Sequence, residues 1–213
     1  QHTGPKAVLA VTATATSRVR NEIIEKLGLQ TPFVHVGTFD RPNLFLSVAR
    51  AAYKIGALTQ ALRDTSGSSI VYVNRRTDAE EVASRLRDAG VEAAHYHAAM
   101  PTDARSTAQS DWREGKTKTI VATIAFGMGI DKPDVRAVFH YQYPSSLEEY
   151  YQQVGRAGRD GQPAKCILFY DSEDKGFHRL VLDQEFPDRE AAAQVYGLVR
   201  DGLGQDEILR FGG

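Results

Sequence analysis

Residues 69–97 read SIVYVNRRTDAEEVASRLRDAGVEAAHYH. The stretch opens on an apolar run, 69–73, and passes through a polar turn. It then sets Ala79, Val82, Ala83 and Leu86 at helical spacing, stops at Gly90 and closes on a second short run, 93–97. An apolar run without alternation is the mark of a strand buried on both faces, and a period between three and four is that of a helix lying over it. Strand, helix, strand in that order builds a parallel unit. Thr77-Asp-Ala-Glu80 has capping-box spacing and places the helix start at Thr77.

The same alternation continues on both sides. Strands are predicted at 44–48, 69–73, 93–97, 118–122, 136–141 and 164–170, with helical stretches between them. Thr102 is expected to cap a helix running to Trp112, and Ser146-Leu-Glu-Glu149 is a second capping box. The predicted fold is α/β, a mostly parallel sheet flanked by helices, with its chemistry at the strand ends. Upstream, Ala7–Val11 and Phe33–Val36 read as strands around a helix at 17–27, whose Val19, Ile23, Ile24 and Leu27 keep helical spacing up to Gly28. A lone strand–helix–strand cannot bury both faces of its sheet. Residues 1–38 are therefore expected to be the last elements of a preceding domain, and 39–175 the main domain. The acidic stretch 176–213 is expected to be a helical tail or the start of a further domain. Asp40 to Pro42 read as a connector, because Pro42 pushes Arg41 out of helix.

Composition narrows the function classes. The 213 residues carry 26 Lys+Arg and 27 Asp+Glu, a net charge of −1, which excludes a uniformly basic nucleic-acid binder. The charge is unevenly spread. Residues 1–76 hold ten Lys/Arg against four acids, and 171–213 hold five against ten. A single cysteine excludes a disulfide framework and a Cys-rich zinc site within the chain. No apolar run approaches the ~18 residues of a spanning helix, so no membrane role is expected. A reducing, cytoplasmic setting is expected.

Two stretches imitate nucleotide motifs. Residues 110–117 nearly spell a phosphate-binding P-loop, but Ser110 stands in place of its first glycine. The context is also reversed, a helix ending before a strand, where a P-loop leaves a strand to open a helix. Asp206-Glu207 follows a glycine-rich turn and reads as a helix start. Neither stretch is expected to hold a nucleotide phosphate with Mg²⁺. The strongest segment is Tyr150-Tyr-Gln-Gln-Val-Gly-Arg-Ala-Gly-Arg-Asp-Gly161. Arg156 and Arg159 are three apart, which on a helical turn puts two guanidinium forks on one face, suited to a phosphate. Gly155 and Gly158 would leave room for a ligand beside them.

Taken with Val11-Thr-Ala-Thr14, Val71-Tyr-Val-Asn-Arg75, Tyr96-His-Ala-Ala-Met100 and the run from Ile120 to Pro133, this segment resembles motifs III to VI of superfamily-two helicases. Phe39-Asp-Arg-Pro-Asn43 and the wording of the last two motifs are closest to the RecQ family of DNA helicases. The resemblance covers roughly residues 7–175. It implies the second of two RecA-like domains, with ATP and Mg²⁺ bound mainly by a first domain outside this chain.

Carried over by motif, the resemblance implies that Arg159 is an arginine finger, with Arg156 its partner and Gln152 opening the same motif. Gly129 and Asp131 belong to a nucleotide-side loop, in which Gly127 and Gly129 would let the backbone turn tightly. Asn74, Arg75, His97 and Thr123 lie in regions that touch DNA backbone, and Thr12 and Thr14 in the motif that couples the two domains. The family usually continues into a four-cysteine zinc module. With only Cys166, inside an apolar strand, no zinc or other metal site is expected here. Movement from 3′ to 5′ is implied by the family alone. Two other readings fit the same residues: the motor domain of an RNA helicase, and a non-enzymatic domain that binds DNA or a protein partner.

Overall fold

A computed structural model describes residues 7–12, 15–37, 40–127 and 130–171. The expected tail helices at 176–213, together with Thr14 and Gly129, lie outside the described residues. The elements run α1 (Ser17–Lys26), β1 (Leu44–Arg50), α2 (Lys54–Arg63), β2 (Ser68–Tyr72), α3 (Arg76–Asp88), β3 (Ala93–Tyr96), α4 (Thr102–Arg113), β4 (Thr119–Ala122), β5 (Val135–His140), α5 (Leu147–Val154) and β6 (Ala164–Tyr170). The six strands form one sheet in the order β1-β6-β5-β2-β4-β3. Every pairing is parallel. All six expected strands are present within one or two residues.

Alternation along the strands divides the core into two layers. Val71, Val121, Phe139 and Phe169 face Ile55, Leu58 and Leu62 of α2 and Ala79, Val82, Ala83 and Leu86 of α3. Ile70, Tyr72, Ile120, Val138 and Cys166 face Trp112 of α4 and Val154 of α5. Trp112 is fully buried, and its indole N–H donates to Ser69 O at 3.1 Å. Lys132 lies over its ring, 5.6 Å from the centroid. Cys166 is the buried core residue expected, and burial pushes its thiol up to about 12. His140, also buried, stacks on Tyr72 and joins Gln153 at 2.7 Å through Nε2.

Burial lowers His140 from 6.5 to about 4, so the ring stays neutral in the fold while the unfolded chain takes up a proton. Burial lowers His95 in the same direction. Stability is therefore expected to be full above pH 6.5 and to fall as pH drops from there toward 4. Melting curves across that window check this, and a melting temperature that stayed level would contradict it.

Several local expectations are corrected. Residues 7–12 and 33–36 are not strands. They pair with no ladder among the described residues, and Leu9, Val11 and Phe33 are 88, 83 and 93% exposed. An apolar run becomes a strand only where a neighbour takes its backbone hydrogen bonds, and none does here. Helix α1 forms as expected, but Thr16 caps it by accepting from Val19 N at 3.3 Å, and Gly28 ends it at φ +61°. Helix α3 starts before Thr77, with Arg75 at its N-cap, because Glu80 turns away to His97 and leaves no box. Pro101, not Thr102, precedes α4. At α5 half of the box forms: Ser146 Oγ accepts from Glu149 N at 3.0 Å, but the Glu149 carboxylate accepts from Ser145 N at 2.9 Å, one residue before the cap.

Candidate functional site

The two arginines do not share a helical face. Helix α5 ends at Val154, and Arg156 and Arg159 stand in the turns that follow. Positive φ at Gly158 (+53°) and Gly161 (+79°) shapes those turns. The loop lies against the amino ends of β1, β5 and β6. Gly158 N donates to Val135 O at 2.9 Å and Asp160 N to Pro133 O at 3.3 Å. From the segment before β1, Arg41 Nη2 donates to Ala157 O at 3.1 Å and Gly158 O at 2.9 Å. Asn43 Nδ2 donates to Gly158 O at 2.9 Å and Gln162 O at 3.0 Å. Arg136 Nη2 meets both carboxylate oxygens of Asp160 at 2.7 Å, and that contact holds the Asp160 carboxyl below its ordinary range. Gly158 thus makes room for Asn43 rather than for a ligand.

Both arginines reach from this loop to the segment between β4 and β5. Arg156 is half-buried. Its Nη1 donates to Gly127 O, and its head fills the space that a Gly127 side chain would need: a Cβ there would stand 2.4 Å from Nη2 and 2.9 Å from Cζ. That close approach, rather than a tight turn, is what Gly127 permits. Tyr72 donates its hydroxyl to Phe126 O at 3.1 Å. Burial pushes its phenol up to about 12, against the opposing charge of Arg156 beside it. Arg159 is the outer arginine. Its Nη1 donates to Ile130 O at 2.9 Å and to Asp131 Oδ1 at 3.0 Å. The Asp131 side chain is 87% exposed, so this pair contributes little stability and an anion can compete for the guanidinium. Gln152 is exposed on α5.

The remaining candidates gather at the opposite, carboxyl ends of β2, β3 and β4. Asn74 N donates to Gln142 Oε1 at 2.8 Å and its amide to Tyr143 O at 3.0 Å, while Gln142 Nε2 donates to Asp78 Oδ2 at 2.9 Å. Asn74 therefore ties the end of β2 to the segment after β5. Arg75 is exposed. His97 and Thr123 are 4 and 8% exposed. Thr123 N donates to Tyr96 O at 3.3 Å, and His97 N to the Met100 sulfur at 3.4 Å. Thr12 is exposed in the segment before α1. In the P-loop look-alike, Lys116 pairs with Asp111 at 3.4 Å and Glu114 at 2.9 Å in the turn that closes α4.

Sequence reasoning did not foresee Arg41, Asn43, Tyr72 or the Arg136–Asp160 pair as supports of the arginine loop. An arginine and an asparagine immediately before a predicted strand were the available signal for the first two.

Residues 53–161 match the model of the helicase conserved C-terminal domain family. The ATP-dependent DNA helicase RecQ of Pasteurella multocida is 41% identical over 189 residues, which cover 87% of this chain and 30% of that protein. The ATP-dependent DNA helicase hus2/rqh1 of Schizosaccharomyces pombe is 45% identical over 181 residues, 82% of this chain and 13% of that protein. The chain thus spans less than a third of these relatives. Among solved structures, S. cerevisiae Dbp5 bound to RNA and ADP BeF3 superposes with a TM-score of 0.66 at 25% identity, covering 83% of this chain and 48% of that one. The E. coli DEAD-box protein SrmB bound to regulator of ribonuclease activity A superposes at 0.55 with 30% identity, covering 62% of this chain and 78% of that one. The all-parallel sheet, the ordered motifs and these matches agree: the chain belongs to the helicase conserved C-terminal domain family, in its RecQ-type form.

Proposed function

We propose that the chain is the second motor domain of an ATP-dependent DNA helicase that moves 3′ to 5′. In this reading residues 1–38 end the first RecA-like domain, 39–175 are the second, and 176–213 are a helical tail or open a further domain. ATP and Mg²⁺ are held mainly by the first domain. The residues described here suit the outer end of a triphosphate, since they supply guanidinium groups and no phosphate cradle. Arg159 stabilises charge on the transferring γ-phosphoryl group, with Arg156 and Gln152 beside it. Asp131 and Gly129 line the nucleotide side, and Asp131 holds Arg159 until an anion competes for it. Asn74, Arg75, His97 and Thr123 form the DNA side. Exposed Arg75 suits a phosphate best, and contacts to backbone read no sequence. Thr12 and Thr14 couple the two domains.

One observation carries this reading. The loop that bears Arg159 is bonded at Ala157, Gly158, Asp160 and Gln162 by groups of the chain itself. A cation fixed in advance is what electrostatic stabilisation of a transition state requires. The test is steady-state ATPase of the chain alone and of the chain joined to its first domain. The chain alone should show no turnover above background, with or without single-stranded DNA, and the joined protein should be active. Turnover by the chain alone that survived Arg159→Ala would overturn the division of labour. The RNA reading is favoured by one observation, the RNA bound to Dbp5 in the structure that superposes on this chain. The higher identity to proteins named DNA helicases favours DNA. Unwinding of DNA and RNA duplexes by the full-length protein separates the two.

A further inference from the structure

Among the described residues strand β3 is at the edge of the sheet, paired only with β4. Side chains alternate along it. Tyr96 turns toward Phe126 and the α4 layer, while Ala93 joins the α2–α3 layer. His95 and the following His97 share the face of Ala93, toward α3, and there they meet Glu80. One ligand atom from each of Glu80, His95 and His97 lies within 4.8 Å of the other two. The two imidazoles stack with centroids 5.7 Å apart, and His97 Nε2 is 2.9 Å from Glu80 Oε1. His97 Nδ1 is buried without a partner, so the Glu80 contact is the ring's one polar tie among the described residues. Arg87, the neighbouring cation, is held away by its own bond to Ala93 O at 2.9 Å.

We propose that Glu80, His95 and His97 bind one transition-metal dication of the zinc class, with solvent completing a four-coordinate site. The donor set decides the class. Two imidazoles and a carboxylate suit zinc, cobalt, nickel or copper, whereas magnesium and calcium take oxygen ligands. Bonds of about 2.0–2.2 Å place tetrahedral ligand atoms roughly 3.4 Å apart. Closing the widest observed spacing, at most 4.8 Å, takes a shift of about 1.4 Å at most. The bound ion would pin α3 to the edge strand, at the same end of the sheet as Asn74 and Arg75. This inference departs from the expectation that the chain holds no metal, and it stands on three side chains independently of the helicase reading.

The test is a titration of the 213-residue chain with Co²⁺, followed by its visible absorption, then back-titration with Zn²⁺. One equivalent should bind with the bands of a four-coordinate site, Zn²⁺ should displace it, and Zn²⁺ should raise the melting temperature. His95→Ala should lower the affinity by at least about tenfold, since even the supports of metal ligands are worth that much. Glu80→Gln should weaken binding as well, and because Glu80 is exposed this variant keeps the fold if His95→Ala does not. Absence of site-specific cobalt bands, unchanged affinity in the folded variants, or displacement of cobalt by equimolar Mg²⁺ would each overturn the proposal.

Discussion

Arg159→Ala in the full-length enzyme is expected to lower kcat for DNA-saturated ATP hydrolysis by roughly a thousandfold or more, the range set by other arginine fingers. That is about 4 kcal/mol or more of lost transition-state stabilisation. ATP affinity should change far less, because under the proposed function the first domain holds most of the nucleotide. The fold should be unaffected, since Arg159 is bonded only to Ile130 O and an exposed carboxylate among the described residues. Arg159→Lys should rescue poorly, because lysine keeps the charge and loses the planar fork. Arg156→Ala is a less clean experiment: it also removes the group packed against Gly127 and Tyr72, so stability and rate should fall together. The double variant should cost less than the sum, as both residues act on one charge. Steady-state ATPase with nucleotide-binding and melting controls makes the measurement. Near-normal kcat in Arg159→Ala, or loss of folding in place of rate, would show that the arginine is structural.

Gly158→Ala should be the most damaging single-methyl change near the site. Its φ of +53° disfavours any side chain, at about 1–3 kcal/mol. The added Cβ would also stand 2.5 Å from Asn43 Nδ2 and 2.7 Å from Gln162 O. The second of these is backbone and cannot swing aside, so overpacking adds a further ~1–3 kcal/mol. The loss by denaturant unfolding should therefore reach about 2–6 kcal/mol. Gly127→Ala makes the informative contrast. No positive φ is involved there, and the new methyl meets only the movable head of Arg156, so stability should fall less. If Gly158→Ala melted like the parent, the described packing of the arginine loop would be wrong.

The sheet was legible because its strands are short apolar runs separated by helices with clear spacing, and burial on both faces of β2, β4 and β5 removes ambiguity there. Where the same signal had no partner it misled. Ala7–Val11 and Phe33–Val36 have the composition of strands, but composition does not supply the neighbour that makes a ladder. Capping at Thr77 failed because Glu80, which the box required, has a tertiary partner in His97. For the site, the arginines and Asp131 could be read from a motif, since each is a short local string. Their actual placement, on turns beyond α5 at the amino ends of the strands, depends on Arg41 and Asn43. Spacing within the motif suggested one helical face and carried no sign of those distant supports.

Arg41 and Asn43 are separated by 115 to 119 residues from the carbonyls they hold. Contacts of such long sequence separation come at the cost of closing most of the chain into a loop, and they form late in folding. Among the described residues β1 pairs only with β6, so the segment carrying both clamps docks on the last of the six described strands. The arginine loop can therefore take its final shape only after every other strand of the domain exists. A nascent or partly folded chain carries the same arginines with nothing to aim them, so under the proposed function the loop can meet a phosphate only in a domain whose described strands are all in place.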